Sequence, residues 1–506
     1  MKTPAPVQST PHSDDPTAIA TLREVLDRAP FTGDAIRAAL GTEDEVLSRS
    51  RDIPVHLRRL RDRGAFGALV QLFVLNVPVP IDLMREALAP LALEAAERMG
   101  IVAREGAVVR PLVRLVPHDE LIIASDLRLV AGQEAPNDHV PGVHRPTVTL
   151  ARLTVRTPVK RGLDLGTGNG VEAILMRPHV EHVVGSDVNA RAIEFARFNG
   201  HLNRAPDIDW RVGSWFERMR SEKFDVIACN PPYVISPATQ YIYRDSGMEG
   251  DSVSEQVVRE VAAHLNEAGF GTITVSWAAE ADDEEAKPVR RWVEGTGCDA
   301  WILHYRTEDP LTTAKNWNEQ DAVDPDEYGK VLDEWLAYYE RLGIKGIAYG
   351  AVILRRRTAP QNWVRVDPLP GGRLDVASDH IRRVFAAADA LQTRSDDAAL
   401  LDMRFRVPAA LRISRVTAVG SDGGVVRVLL EEGVGFQAEV DDHIVNVLQS
   451  LDRGPLREAL TAASDAGGLA PRDRERFVTA GARLARRLYG MGLIERVVGN
   501  AEVTGE

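Results

Sequence analysis

Through the middle of the chain, short apolar runs alternate with amphipathic stretches in a rhythm that predicts strand, helix, strand, helix. Residues 161–166 read as a first strand, 171–176 as a helix, 181–188 as a second strand and 190–203 as a second helix. Strands are expected at 208–213 and 224–230, a helix at 252–268 and a strand at 271–277. Residues 298–305 and 344–354 complete the set, with a helical stretch at 326–342 between them. Such alternation predicts parallel βαβ units in one sheet, with ligands at the carboxyl ends of the strands. The last two strands lack an ordinary crossover, which predicts an antiparallel edge strand.

The flanks read differently. Residues 17–28 form a helix behind Pro16, 66–75 an apolar helix ended by Pro78 and Pro80, and 81–88 and 91–99 two short helices. Strands at 101–103 and 108–115 turn at Glu105 and Gly106, so the region resembles a winged helix, either a docking module or a helical cap. Beyond Arg357, Pro360 and the segment 368–372 mark a boundary. Strands at 411–419 and 425–430 flank Ser421-Asp422-Gly423-Gly424, a hairpin signal, and helices follow at 442–451, 456–466 and 472–489. The expected organisation is a disordered tail over 1–15, a helical accessory domain over 16–126, the α/β domain over 127–358 and an α+β domain over 359–506.

The length of 506 residues agrees with several domains. No apolar run approaches the roughly 20 residues of a membrane helix, and the first residues lack the apolar centre of a secretory signal; a soluble, cytoplasmic protein is expected. A net charge of −13 opposes a surface that grips nucleic acid along its whole length but leaves room for a local basic patch. The best candidate patch is Arg474, Arg476, Arg483, Arg486 and Arg487, whose helix also reads as a solvated face with Phe477, Leu484 and Leu488 packed inward. Two cysteines, Cys229 and Cys298, make no disulfide framework and no metal cluster, and Cys229 reads as a small buried residue.

Two motifs carry chemistry. Asp164-Leu165-Gly166-Thr167-Gly168-Asn169-Gly170 closes the first strand and opens the first helix, placing glycines where the backbone must turn tightly and approach a ligand. Its G-x-G-x-G spacing differs from the G-x-G-x-x-G of dinucleotide folds, in which a helix N-terminus receives pyrophosphate. A phosphate-free adenosyl cofactor fits better. Asp187, with Val188 beside it at the end of the second strand, stands where an acid would accept hydrogen bonds from a ribose diol. Ser214, Trp215 and Phe216 follow the third strand, where an adenine wall would lie.

The second motif is Asn230-Pro231-Pro232-Tyr233 at the end of the fourth strand. Both prolines fix their own φ and restrict the preceding residue, which preorganises the turn. The Asn230 side-chain oxygen and the Pro231 carbonyl can then each accept one N–H of a planar amide or amine, and Tyr233 can stack on it. This would hold a nitrogen for attack on a sulfonium methyl, with catalysis by positioning and no assigned base.

On these residues, 161–278 resembles the class I S-adenosylmethionine-dependent methyltransferases. Asn230-Pro231-Pro232-Tyr233-Val234 looks most like the glutamine N5-methyltransferases of peptide-chain release factors, as does the loop from Arg244 to Asp251. The resemblance implies a Rossmann-like sheet, S-adenosylmethionine as cofactor, Asn230 and Pro231 holding the target amide and Tyr233 covering it. The segment 139–146 stands where that family has a Pro-Arg-Pro gating element but does not match it well, and Ser214 replaces an acid common in relatives. The flanks exceed what such an enzyme normally has. Ribosomal-RNA guanine and adenine N-methyltransferases share the clamp and often carry appended domains, although guanine-modifying members usually show Phe-His after the prolines. A protein glutamine amide is therefore the expected acceptor, with a base amine, a small-molecule amine or a non-catalytic adaptor as alternatives. A macromolecular partner, protein or RNA, is expected; oligomeric state is not legible.

Overall fold

The computed structural model describes residues 3–4, 9–42, 52–129, 133–134, 136–239, 241–279, 286–319, 324–369, 374–394, 396–417 and 424–497. Two compact units emerge, one from residues 1–151 and 157–368, the other from 152–156 and 369–506.

In the first unit, β1 (Thr3–Pro4) is followed by α1 (Pro16–Arg28), α2 (Gly33–Leu40), α3 (Ile53–Leu60), α4 (Gly64–Leu69), β2 (Val79–Pro80), α5 (Ile81–Leu88) and α6 (Leu93–Arg98). Next come the strands β3 (Val102–Glu105), β4 (Val108–Pro111), β5 (Arg114–His118), β6 (Leu121–Ser125) and β7 (Gln133–Glu134), then α7 (Arg145–Leu153). The sequence reading of 108–115 as one strand is corrected, because the chain leaves the β3–β4 hairpin at Pro111 and starts a second one, β5 with β6. Helices α2 and α3 went unread. Of the expected disordered tail, residues 1–2 and 5–8 lie outside the described residues. Residues 9–15 are held in place: the Ser9 carbonyl and Thr10 hydroxyl accept from Arg191, and the His12 N–H reaches the Met99 carbonyl at 2.9 Å.

The remainder of this unit is one eight-stranded sheet. It contains β8 (Val159–Leu165), α8 (Val171–Met176), β9 (Val180–Asp187), α9 (Ala190–Leu202), β10 (Asp209–Val212), β11 (Phe224–Cys229), α10 (Ser252–His264) and β12 (Leu265–Ala279). It continues through α11 (Lys287–Val293), β13 (Cys298–Glu308), α12 (Pro310–Asn318), α13 (Pro325–Arg341), β14 (Gly346–Arg356) and β15 (Val364–Pro368). The strand order is β10-β9-β8-β11-β12-β14-β13-β15. Strands β8 and β11 are parallel neighbours, and the order in which successive strands are added reverses between them, where a doubly wound sheet opens its ligand crevice. The expected antiparallel strand exists but is not at the edge: β14 runs antiparallel between β12 and β13, and β15 adds a parallel edge beyond. Its position follows from composition, since residues 346–354 of β14 are all buried and an edge strand could not bury so continuous an apolar run. The helix expected over 252–268 stops at His264, where β12 begins.

The N-terminal helices and the sheet share a core. Ile19, Leu22 and Phe73 lie in one apolar cluster with Phe195, Phe198 and Leu202 of α9. On the same helix Asn199 and Asn203, one turn apart, satisfy the β6 backbone in place of a neighbouring strand. Asn199 accepts from Ala124 N–H at 2.7 Å and donates to its carbonyl at 2.9 Å; Asn203 does the same for Ile122 at 2.9 and 2.8 Å.

The second unit contains α14 (Ser378–Gln392), β16 (Phe405–Arg406), a three-stranded sheet of β17 (Leu411–Thr417), β18 (Gly424–Leu430) and β19 (Gln437–Val440), then α15 (Asp442–Ser450), α16 (Leu456–Ala466), α17 (Arg474–Gly490) and β20 (Glu495–Arg496). Strands β17 and β18 pair antiparallel, while the turn 418–423 between them lies outside the described residues. On α17, Leu488 is buried whereas Phe477 and Leu484 are only partly so.

Candidate functional site

The carboxyl ends of β8, β9 and β11 open into one cavity of about 430 Å³. The turn from β8 to α8 lines it through Asp164, Gly166, Thr167 and Gly168. Gly166 and Gly168 have φ of +72° and +53°, in the left-handed region where a side chain is strained. A Cβ on Gly168 would meet nothing within 4 Å, so the backbone there is open. Gly170 has φ of +86° but does not line the cavity, against the sequence reading. Its hydrogen is required by packing, because a Cβ would lie 2.9 Å from Ala196 and from the Trp210 ring.

Asp164 accepts from the Thr167 hydroxyl and, at 3.0 Å, from the Ala173 N–H. Burial nevertheless outweighs these bonds and pushes its carboxyl up to about 7. Asp187 accepts from the Gly168 and Asn189 N–H groups, each at 2.8 Å and each on a different oxygen. Its carboxyl too is raised by burial, with those bonds opposing. Val188, Ser214 and Trp215 also line the cavity. Trp215 has φ of +44°, a conformation uncommon for a residue with a side chain, and turns towards the cavity while the next residue turns away. Phe216 is buried and stacks on His264 at 3.9 Å, so of the two adenine-wall candidates only Trp215 reaches the site.

At the other end stand Asn230, Pro231, Pro232 and Tyr233. The Asn230 oxygen already accepts from the Thr274 hydroxyl at 2.5 Å, and the Pro231 carbonyl accepts from the Tyr233 N–H at 2.8 Å. Each of these oxygens retains a second lone pair. Ser276 donates to the Tyr233 carbonyl, and Tyr233 forms an isolated bridge with Asp245. Burial raises the Tyr233 phenol, which stays neutral. Cys229, just before the motif, is 0% exposed and its thiol is raised well above the ordinary range by burial, as a structural residue requires.

Several residues that line or support the cavity were not assigned a site role in the sequence. Asn169 is buried, donates to the Pro141 carbonyl at 3.0 Å, and ties the glycine turn to the segment 139–146, much of which roofs the cavity. Burial pushes His139 and His144 of that segment below the ordinary histidine range. Thr274 is anchored on β12 behind Asn230, and its role shows only once β11 and β12 are paired. Trp317 enters from α12; its indole N–H donates to the Tyr349 hydroxyl at 3.1 Å. Arg244 and Asp245 form a buried ion pair at 2.7 Å, with the guanidinium 4.8 Å from the Tyr241 ring and 5.7 Å from that of Trp335.

The strand order and its crevice define a doubly wound sheet. Residues 146–278 match the family described as Methyltransferase small domain. Residues 28–112 and 382–496 match families described as Domain of unknown function (DUF7059) and Domain of unknown function (DUF7782). Among characterised proteins, the chain is 41% identical over 75 residues to a release factor glutamine methyltransferase of Aliivibrio fischeri, covering 14% of this chain and 26% of that protein. With the release factor glutamine methyltransferases of Xylella fastidiosa and Aquifex aeolicus it shares 28% over 131 residues and 27% over 172 residues. These cover 23% and 31% of this chain and 47% and 59% of those proteins. The chain thus spans between a quarter and three fifths of the length of these relatives. A solved methyltransferase from Pyrococcus furiosus is 16% identical, covers 42% of this chain and 81% of its own, and gives a TM-score of 0.25. Among the described residues no helix is long and apolar enough to cross a membrane.

Proposed function

We propose that the chain is an S-adenosylmethionine-dependent N-methyltransferase acting on a glutamine amide of a protein, in the cytoplasm, with accessory domains over 16–126 and 359–506 around a catalytic domain over 127–358. One observation carries this reading: the glycine turn with Asp187 and the Asn-Pro-Pro-Tyr turn face the same cavity. The residues fit the cofactor. Gly168 leaves the turn open for close approach, and each Asp187 oxygen keeps a lone pair for a ribose hydroxyl after accepting its backbone N–H. Asp164, Thr167, Val188, Ser214 and Trp215 complete the pocket, with Gly170 in a packing role.

Bound there, S-adenosylmethionine supplies an electrophilic methyl group. The chain's own part is to present the nitrogen. Asn230, fixed by Thr274, and the Pro231 carbonyl, fixed by the rigid turn, each accept one N–H of the planar amide, while Tyr233 covers it. Their partial negative charge favours the nitrogen as it becomes positive. No side chain need act as base, because the proton can leave after the methyl arrives.

The test is transfer of labelled methyl from the cofactor, comparing release factors, ribosomes and bare RNA. Label on a glutamine of a release factor is expected. Label on RNA would replace the acceptor, and absence of both transfer and S-adenosylhomocysteine binding would remove the reading altogether.

A further inference from the structure

The second unit contains a groove of about 830 Å³ that the methyl-transfer reading does not use. One wall is α14. Its apolar face, Ile381, Val384 and Phe385, is buried in the unit's core, and the opposite face sets Arg382, Arg383, Ala386 and Ala390 against the groove at helical spacing, with Arg394 just past the helix end. Tyr489 of α17 and residues 495–496 of β20 close the other side.

Three hydrogen-bond donors here lack acceptors that match them. Arg383, partly buried, uses only its Nε, which donates to the Gly492 carbonyl at 3.0 Å; among the described residues its two terminal nitrogens have no hydrogen-bond or ion-pair partner. Arg394 spends one terminal nitrogen on the Ala390 carbonyl at 3.4 Å and the Thr393 hydroxyl at 3.2 Å, and meets no carboxylate at ion-pair distance among the described residues. Tyr489 is only 4% exposed, its ring set edge-on against Phe405 at 5.2 Å, and its hydroxyl has no partner among the described residues. Carboxylates do lie nearby. Glu495 is taken by Arg406 at 2.5 Å and Asp379 lies 3.5 Å from Arg382, while Glu432 is exposed and Asp389 lines the groove near Tyr489. Burial lowers the Arg383 guanidinium and outweighs the pull of Glu495, Asp379 and Glu432.

We propose that this groove is a second ligand site, which receives a phosphoryl or carboxylate group of a small molecule on the Arg383 and Arg394 guanidinium groups and the Tyr489 hydroxyl. A planar guanidinium with both terminal nitrogens available matches two oxygens of either group side by side, and a phenol supplies a third, neutral donor. The site lies wholly within the second unit and does not depend on the identity of the methyl acceptor.

The experiment is calorimetric titration of the full chain, its cofactor cavity saturated with S-adenosylhomocysteine, with inorganic phosphate and separately with succinate, at an ionic strength held constant with chloride. Saturable binding is expected, weakened tenfold or more by Arg383→Gln and by Arg394→Gln and a few-fold by Tyr489→Phe. Binding of phosphate alone assigns a phosphoryl group, of succinate alone a carboxylate, and of both the shared chemistry. Absence of saturable binding for both probes, or binding unchanged in the Arg383→Gln/Arg394→Gln double variant, overturns the proposal. Should Arg383→Gln unfold through loss of its bond to Gly492, Arg394→Gln and Tyr489→Phe decide it by the same thresholds.

Discussion

The two ends of the cavity sit on neighbouring strands and solve opposite problems. After β8 the chain has freedom, with glycines at positive φ that, on the proposed reading, let backbone pass close to a ligand. After β11 it is rigid, and two prolines plus a Thr274 anchor fix the oxygens that the proposed mechanism assigns to the substrate amide. A substitution should therefore act through shape at the first end and through orientation at the second, and measurements of binding and turnover should separate them.

The largest expected effect is at the rigid end. Asn230→Ala deletes an oriented acceptor and leaves the glycine turn untouched, so methyl transfer should fall by about 10²-fold or more with little change in S-adenosylhomocysteine affinity. Thr274→Val leaves Asn230 in place but unanchored and should cost turnover less, on the order of tenfold. If Thr274→Val were as active as the unmodified chain, the rigidity half of the comparison would be wrong.

At the open end the readout shifts to binding. Asp187→Ala should weaken S-adenosylhomocysteine binding by roughly 1–3 kcal/mol, since ribose hydroxyls and two backbone N–H groups lose their acceptor. Gly168→Val should be more severe, because a β-branched side chain at φ of +53° strains the turn and fills the approach path. Normal affinity in a folded Gly168→Val variant, measured by calorimetry, would make the turn merely structural.

The same contrast explains what could be read in the sequence. Gly-x-Gly-x-Gly and Asn-Pro-Pro-Tyr are local signals, because φ freedom and φ restriction are properties of single residues. The strands β8, β9 and β11 were legible as apolar runs, and β14 could have been placed inside the sheet from its unbroken apolar composition. Thr274, Trp317 and the Arg244–Asp245 pair were not legible as site residues. Trp317 and the Arg244–Asp245 pair reach the cavity from segments distant in sequence, and Thr274 supports Asn230 through the pairing of β11 with β12, with no spacing along the chain to mark either. Gly170 shows the converse: the motif grouped it with the ligand turn, whereas Ala196 and Trp210 are what require it. Helix α14 was missed although Ile381, Val384 and Phe385 stand at helical spacing.

A smaller effect should appear in pH dependence. With its carboxyl pushed up to about 7 by burial, Asp164 is largely neutral below that pH. A cationic cofactor favours the carboxylate, so S-adenosylmethionine affinity should rise as pH passes upward through about 7, by up to roughly tenfold per unit on the acid side. For folding the sign is opposite. A carboxyl raised above its ordinary 3.8 holds its proton more tightly in the folded state, so its contribution is full below 3.8 and is lost as pH rises through about 7. Asp164→Asn should flatten both profiles; an unchanged binding profile in that variant would assign the titration to another group.

The smallest effect is expected in the second unit, on α17. Its arginines offer the best basic patch in the sequence, yet three of the five are engaged: Arg474 pairs with Asp465, and Asp397 takes Arg486 closely and Arg483 at 3.9 Å. The inner face buries Ala482, Ala485 and Leu488, as a solvated helix packed on one side should. Replacing Arg483, Arg486 and Arg487 with Gln removes exposed or half-exposed pairs that are worth about 1 kcal/mol or less. Methyl transfer to the true acceptor should then fall much less than in Asn230→Ala. A nucleic-acid acceptor predicts otherwise, because phosphate contacts release counterions and make binding fall steeply with salt. Loss of transfer comparable to Asn230→Ala in a correctly folded triple variant, with a steep salt dependence in the unmodified chain, would move the acceptor from a protein amide to a base amine and make α17 part of its docking surface.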